Sequence, residues 1–247
     1  MFSVKLPHVL LAVAGGASLL AAAGPACAEA LVVRASGPSA GTFLPGKKLP
    51  DGSSVTLKAG DVLTLLDGRG TRTLRGPGVY GTTATASAVS TVNIASFIGA
   101  RNNSRARTGA VRGIKAEPRS PNVWYVDIRK PATICVLDPA NVKLWRPVSG
   151  AGTLAIAGAA GKGSVAFAAD AAVASWPTTL PVTEGASYQL SGAGLPKPVT
   201  VTFTLLSPGA EGLESTASTL IARKCSAQLD LLIETVAAPD PAPDMPG

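Results

Sequence analysis

From residue 30 to residue 206 the apolar residues of this chain come in short runs, each closed by glycine, proline or an Asp-Gly pair. That punctuation leaves little room for long helices, because proline removes a backbone donor and glycine frees the backbone at each corner. The pattern predicts short strands. In the first part Ala30 to Ala35 is strand-like, Gly37-Pro38, Pro45-Gly46 and Asp51-Gly52 mark turns, and Val55 and Leu57 alternate with Thr56 and Lys58. Gly60-Asp61 leads into Val62 to Leu66, Asp67-Gly68 into Thr71 to Leu74, and Gly76-Pro77-Gly78 closes the run. Residues 29–80 therefore read as a small antiparallel β-module, a meander with glycine at its corners.

The second half, 121–206, reads as strands throughout. The candidates are Val123–Ile128, Thr133–Leu137, Val142–Trp145, Thr153–Ala157, Ser164–Ala168, Ala172–Trp176, Ser187–Ser191 and Val199–Leu206. Val199, Val201, Phe203 and Leu205 alternate with Thr200, Thr202 and Thr204, the period of a strand with one buried face. Eight short strands suit an immunoglobulin-like β-sandwich. Beyond Gly212 the period changes: Leu213, Ala217, Leu220 and Ile221, then Leu229, Leu232 and Ile233, recur at helical spacing. We expect two short C-terminal helices over 207–237 packed on the sandwich, with Ser226 as N-cap of the second. The tail from Ala238 to Gly247 contains four prolines and is expected to be disordered. The fold class is thus mainly β, with a short helical pair. Residues 81–120 form the join, a short helix over 81–99 followed by a basic linker.

The start of the chain sets the expected compartment. Lys5 precedes an apolar run from Val9 to Ala23, and Ala26 and Ala28 flank Cys27 at the spacing of a signal-peptidase site. Residues 1–28 are read as a cleavable signal peptide leading to the periplasm, with no transmembrane anchor after cleavage. Acylation of Cys27, as in a lipoprotein, is the less favoured alternative, since no Leu stands three positions upstream. Export leaves Cys135 and Cys225 in an oxidising space, where a disulfide between them is expected, with free buried thiols as the alternative.

The only histidine, His8, lies in the signal segment. Its removal excludes Ser–His–Asp and Cys–His catalysis, histidine-ligated zinc and imidazole acid–base chemistry from the exported chain. No Ser-x-x-Lys occurs beyond the signal, and Ala160-Gly161-Lys162-Gly163-Ser164 fails as a phosphate loop, with Ile156 and Gly163 at two required positions. No cofactor, metal site or catalytic residue is expected. Among the acids, Asp61, Asp67 and Asp138 occupy turns, and Asp127 is read as an ion-pair partner of Arg129 or Arg146 in preference to a catalytic acid.

Two surfaces qualify for binding. Trp124, Trp145 and Trp176, with Arg146 beside the second, offer a stacking platform for a ligand, against the alternative that the indoles are sandwich core. Arg101, Arg105, Arg107, Arg112, Lys115 and Arg119 form a basic patch suited to anionic envelope polymer, against the alternative of a solvated linker. Nucleic acid is not expected, given export and the lack of aromatics among these residues.

The stretch SVTLKAGDVLTLLDGRGTRTLRGPGVY, 54–80, resembles the β-repeat of periplasmic sensor domains of the iron-citrate regulator type, in which Gly-Asp and Asp-Gly turns join short strands. It also resembles the first part of a group of uncharacterised exported proteins of Gram-negative bacteria. The resemblance implies an envelope β-domain that senses or binds, and carries over no catalytic residue. The function expected is a non-enzymatic periplasmic binding or scaffolding module for envelope polymer or envelope protein, within a sensing assembly in one version. The alternatives are a carboxylate-based hydrolase of cell-wall polysaccharide and a subunit of a secretion or surface-export machine.

Overall fold

The computed structural model describes residues 29–68, 70–83, 98–99, 117–147, 150–207 and 212–237. The expected signal segment, the expected helix over 81–99 apart from residues 81–83 and 98–99, most of the basic linker and the proline-rich tail lie outside the described residues, and Gly81, at the start of that expected helix, ends a strand instead.

The chain is mainly β with two C-terminal helices. Its first part holds β1 (Ala30–Ser36), β2 (Lys48–Leu49), β3 (Ser54–Leu57), β4 (Val62–Asp67), β5 (Gly70–Arg75) and β6 (Gly78–Gly81). They do not form the single expected meander. β2-β1-β4-β5 make one antiparallel sheet, while β3 pairs with β6 in a second. The corner at Gly60-Asp61 sends the chain from one sheet to the other. The buried Asp61 carboxylate accepts the backbone N–H of Ser39 at 2.8 Å and of Lys58 at 2.6 Å, which ties the corner to the loop after β1. Gly37 in that loop has φ 99°, and a Cβ there would stand 2.5 Å from the Gly60 carbonyl oxygen, so the approach requires glycine. Val32, Leu49, Val55, Leu57, Leu63 and Leu65 fill the space between these two sheets.

The second part holds β7 (Val126–Asp127), β8 (Ala132–Val136), β9 (Lys143–Trp145), β10 (Gly152–Gly158), β11 (Gly161–Phe167), β12 (Val173–Ser175), β13 (Ser187–Gly192) and β14 (Val199–Leu205). A five-stranded sheet, β11-β10-β13-β14-β8, faces a three-stranded one, β12-β9-β7. The adjacency of β10, β13 and β14 in one sheet and of β9 and β12 in the other is the strand arrangement of an immunoglobulin-like sandwich. β8 adds to it in parallel with β14. Ile134, Leu154, Ile156, Val201 and Phe203 from one sheet meet Val126, Leu144 and Trp176 from the other side. Tyr188, near the start of β13, donates its hydroxyl to the Pro181 carbonyl at 2.5 Å, a tyrosine corner of the kind such sandwiches carry. Its ring lies 5.1 Å from Trp176 in an edge-on contact.

Only the end of the expected strand Val123–Ile128 is one. The Asn122 side chain accepts the Trp124 backbone N–H at 2.8 Å, and the Trp124 indole donates to the Ile98 carbonyl at 2.5 Å, which holds residues 122–125 in turns.

Helices α1 (Leu213–Ala222) and α2 (Ser226–Val236) close the chain. The N-cap of α2 is Cys225, not the expected Ser226, because the Cys225 N–H bonds back to Leu220 at 2.9 Å and ends α1 there. The helices pack on the sandwich and equally on the N-terminal sheet. One apolar cluster joins Leu31, Val33 and Leu66 to Ala217, Leu220, Leu232 and Ile233 and to Val123, Trp124 and Cys135. α2 ends against β5, where Gly70 (φ 129°) leaves room for the Val236 carbonyl and Thr71 bridges to Ala237. The helical pair is therefore a shared wedge between the two β-modules. The Cys135–Cys225 disulfide fixes it to β8 across a separation of 90 residues.

Candidate functional site

A pocket of about 410 Å³ opens between the segment 117–130, strand β8 and helix α2. Tyr125, Ala132, Ile134 and Leu231 supply its apolar part, and Glu117, Arg119, Asp127, Arg129, Lys130, Asp230 and Glu234 its charges. Local turn chemistry positions the centre. After β7 the Asp127 carboxylate accepts the Arg129 backbone N–H at 3.0 Å, folding the side chain of Arg129 back over β9. There the guanidinium lies 4.9 Å from the centre of the Trp145 ring. It donates Nε and Nη2 to the two Asp127 oxygens at 2.9 and 2.6 Å, and Nη1 to Glu117 at 2.9 Å.

Asp127, and then Glu117, hold the Arg129 guanidinium more firmly protonated than usual. Burial alone pushes the Tyr125 phenol up from its ordinary value. At the rim Lys130 reaches Glu117 at 3.5 Å, Arg119 reaches Glu234 at 3.3 Å, and Asp230 pairs with Arg34 of β1. These rim pairs are at least half exposed on both sides, or nearly so, and an ion pair in that setting contributes only about 0–1 kcal/mol. An incoming charge can replace either member at little cost. Behind the floor, the Gln228 side chain fills the place of a neighbouring strand along β8. It accepts the Cys135 N–H at 2.6 Å and donates to the Cys135 and Val123 carbonyls at 3.1 and 3.0 Å.

The structure separates the residues of the expected stacking platform. Trp124, Trp145 and Trp176 are all buried, each in a different setting: the helix wedge, the underside of Arg129 and the sandwich core. They share no face, so the reading of Trp124, Trp145, Trp176 and Arg146 as a ligand platform is corrected to core. The cause is indole area, which yields most when removed from water. Trp124 and Trp176 satisfy their N–H groups on the Ile98 and Leu180 carbonyls. Arg146 is buried too, 4.6 Å from the Phe167 ring, donating to the Ala193 and Gly150 carbonyls. Of the basic patch, Arg101, Arg105, Arg107, Arg112 and Lys115 lie outside the described residues, and Arg119 is paired with Glu234. Cys135 and Cys225 are joined as expected.

Sequence reasoning missed Glu234, Asp230 and Gln228, because their spacing on α2 says nothing of the strand they face. It also overlooked Gly37-Pro38-Ser39-Ala40-Gly41, which has the spacing of a nucleophile elbow. Here that pentapeptide forms turns after β1, with no helix behind it, and Ser39 is buried against Asp61. Its role is to hold a loop.

Fold and site together describe a two-module β protein whose helical wedge walls a charged groove. Among the described residues no helix is long and apolar enough to cross a membrane. Comparison with protein-family models, with curated proteins and with solved structures finds no match for this chain.

Proposed function

We propose that this chain is an exported module of the Gram-negative envelope, working in the periplasm by contact with envelope polymer or envelope protein and not by bond-breaking. The observation that carries this reading is the state of Asp127. Both of its oxygens are engaged by Arg129 at the centre of the groove, an arrangement suited to a rigid recognition surface and poorly suited to proton transfer. Around it the weak rim pairs of Arg119 and Lys130 offer exchangeable charge of both signs, and the apolar part of the wall offers area. The likeness of residues 54–80 to sensor β-repeats favours a place in a sensing assembly.

Titration calorimetry with soluble peptidoglycan fragments and with an anionic envelope polysaccharide, alongside crosslinking in the native envelope, tests the proposal. Binding or a crosslinked partner that weakens when Arg119 and Lys130 are both changed to Glu supports it. Turnover of cell-wall sugar that disappears in Asp127→Asn refutes it in favour of a hydrolase.

A further inference from the structure

The loop between β1 and β2 holds an apolar tip in solvent. Phe43 is half-buried against the N-terminal core, while Leu44 beside it is 61% exposed and Pro45 is exposed too. Successive turns brace the tip. Phe43 and Lys47 donate their backbone N–H groups to the Ala40 and Leu44 carbonyls at 3.2 and 3.0 Å, and Gly46 donates to Val32 of β1 at 2.7 Å. Helix α1 runs along the same edge. Its Glu214 meets Lys48 of β2 at 3.2 Å, and two turns later Ile221 lies where a Cβ on Gly46 would stand 3.5 Å from it. Seven residues of helix advance about 10 Å and two of extended chain about 7 Å, so helix and loop run side by side in opposite chain directions. The next residues of the helix end, Arg223 and Lys224, therefore come level with Leu44. Both are exposed, as is Lys47, and among the described residues none of the three pairs with a carboxylate. Lys47 instead donates to the Thr42 carbonyl at 2.9 Å and lies 5.4 Å from the centre of the Phe43 ring. The acids nearest this corner are already engaged, Asp230 by Arg34 and Glu214 by Lys48. Leu44, Lys47, Arg223 and Lys224 take no part in the groove.

We propose that this corner seats on an anionic phospholipid surface, with Leu44 entering the boundary between headgroups and acyl chains and Lys47, Arg223 and Lys224 facing the headgroup phosphates. An apolar tip beside cations that lack a counter-charge suits such an interface. Lysine and arginine lay their stems along apolar surface there and keep their heads at the phosphates. The tip's apolar area is one leucine, a proline and part of a phenylalanine. That is a small part of the roughly 800 Å² per partner in a standard protein interface, whereas a bilayer asks for no complementary shape. With one side chain inserted and three charges at the surface, attachment is weak, reversible and salt-sensitive, comparable to that of a single acyl chain at most.

Co-sedimentation of the chain from residue 29 onward with vesicles of phosphatidylcholine alone, and with about a third phosphatidylglycerol, tests the proposal. The expected result is binding to the anionic vesicles only, weakening as salt rises. In Leu44→Trp the new indole reports on its own site, because Trp124, Trp145 and Trp176 are buried. Its emission should shift to the blue and be quenched by brominated lipid on anionic vesicles, while Val173→Trp, at an exposed position of β12, should show neither effect. Leu44→Asp should lower the partition coefficient at least about tenfold. Lys47→Ser combined with Lys224→Ser should lower it about twentyfold, near fivefold for each charge. A wild type that ignores anionic vesicles overturns the proposal, as does a Leu44→Trp emission that stays unchanged on bound vesicles. Binding that survives both Leu44→Asp and the paired serine replacements belongs to the basic linker and overturns it too. Equal binding to neutral vesicles, or a Leu44→Trp shift produced by an envelope protein and not by lipid, has the same consequence.

Discussion

Replacing Gln228 by Ala removes an amide that serves three buried groups at once. The Cys135 N–H, the Cys135 carbonyl and the Val123 carbonyl lie behind residues with no exposed surface, and Gln228 is itself buried. The strand that carries Cys135, β8, has β14 on its other side, so no neighbouring backbone is available to replace the partner lost there. Each orphaned group costs about 1–3 kcal/mol, and a water entering the cavity recovers part of it, so the expected loss is about 3–5 kcal/mol. For a chain of this size that corresponds to roughly 8–15 °C in Tm. Equilibrium urea unfolding under non-reducing conditions, with the slope held to its wild-type value, measures it. Gln228→Glu sharpens the test: the carboxylate still accepts from Cys135 but donates to neither carbonyl. It should be at least as damaging at pH 7, and less so once protonation restores one donor. A loss below about 1 kcal/mol in Gln228→Ala, or no pH dependence in Gln228→Glu, would refute the idea that this side chain stands in for a strand.

Removing the disulfide by Cys135→Ser with Cys225→Ser should cost about 4–5 kcal/mol on the chain-entropy estimate for its 90-residue separation, read by denaturant midpoint. Tyr188→Phe deletes the hydroxyl donated to Pro181 and should cost about 1 kcal/mol, whereas Trp176→Ala, which empties the centre of the sandwich, should cost about 3–5 kcal/mol. The Asp61 carboxyl is held below its ordinary range, first by Ser39 and then by the Lys58 backbone N–H. A carboxyl so shifted stabilises the fold above the unfolded value near 4, and that stability is lost as pH falls through the lower folded value. Asp61→Asn should therefore flatten the acid limb of a stability–pH curve, and an unchanged limb would remove Asp61 from its cause.

The strands of the sandwich were legible because one of their faces is wet. The expected Thr153–Ala157 and Val142–Trp145 fall within a residue of β10 and β9, and Thr200, Thr202 and Thr204 mark the outward side of β14 as their alternation implied. The disulfide was legible from the compartment expected for the chain and from there being only two cysteines, Cys135 and Cys225, beyond residue 28. The N-terminal module was legible in its strands but not in its pairing. β1 and β4 are buried on both faces, Val32 and Leu65 toward one core and Leu31 and Leu66 toward the other. Two-sided burial erases the alternation that reveals a sheet's faces. The apolar runs Ala30–Val33 and Leu63–Leu66, the second broken only by Thr64, were the trace it left in the sequence.

Local chemistry alone thus determined most of the corners and most of the extended and helical segments, the turns at residues 122–125 excepted, since those depend on neighbours two to four residues away. Which sheet receives β3, what the helices wedge apart, that the indoles lie inside and that Asp230 and Glu234 face Arg34 and Arg119 were decided only by packing. Those contacts join residues far apart in the sequence. Nothing in a local period of two or three and a half residues specifies the partner that an element meets across a core.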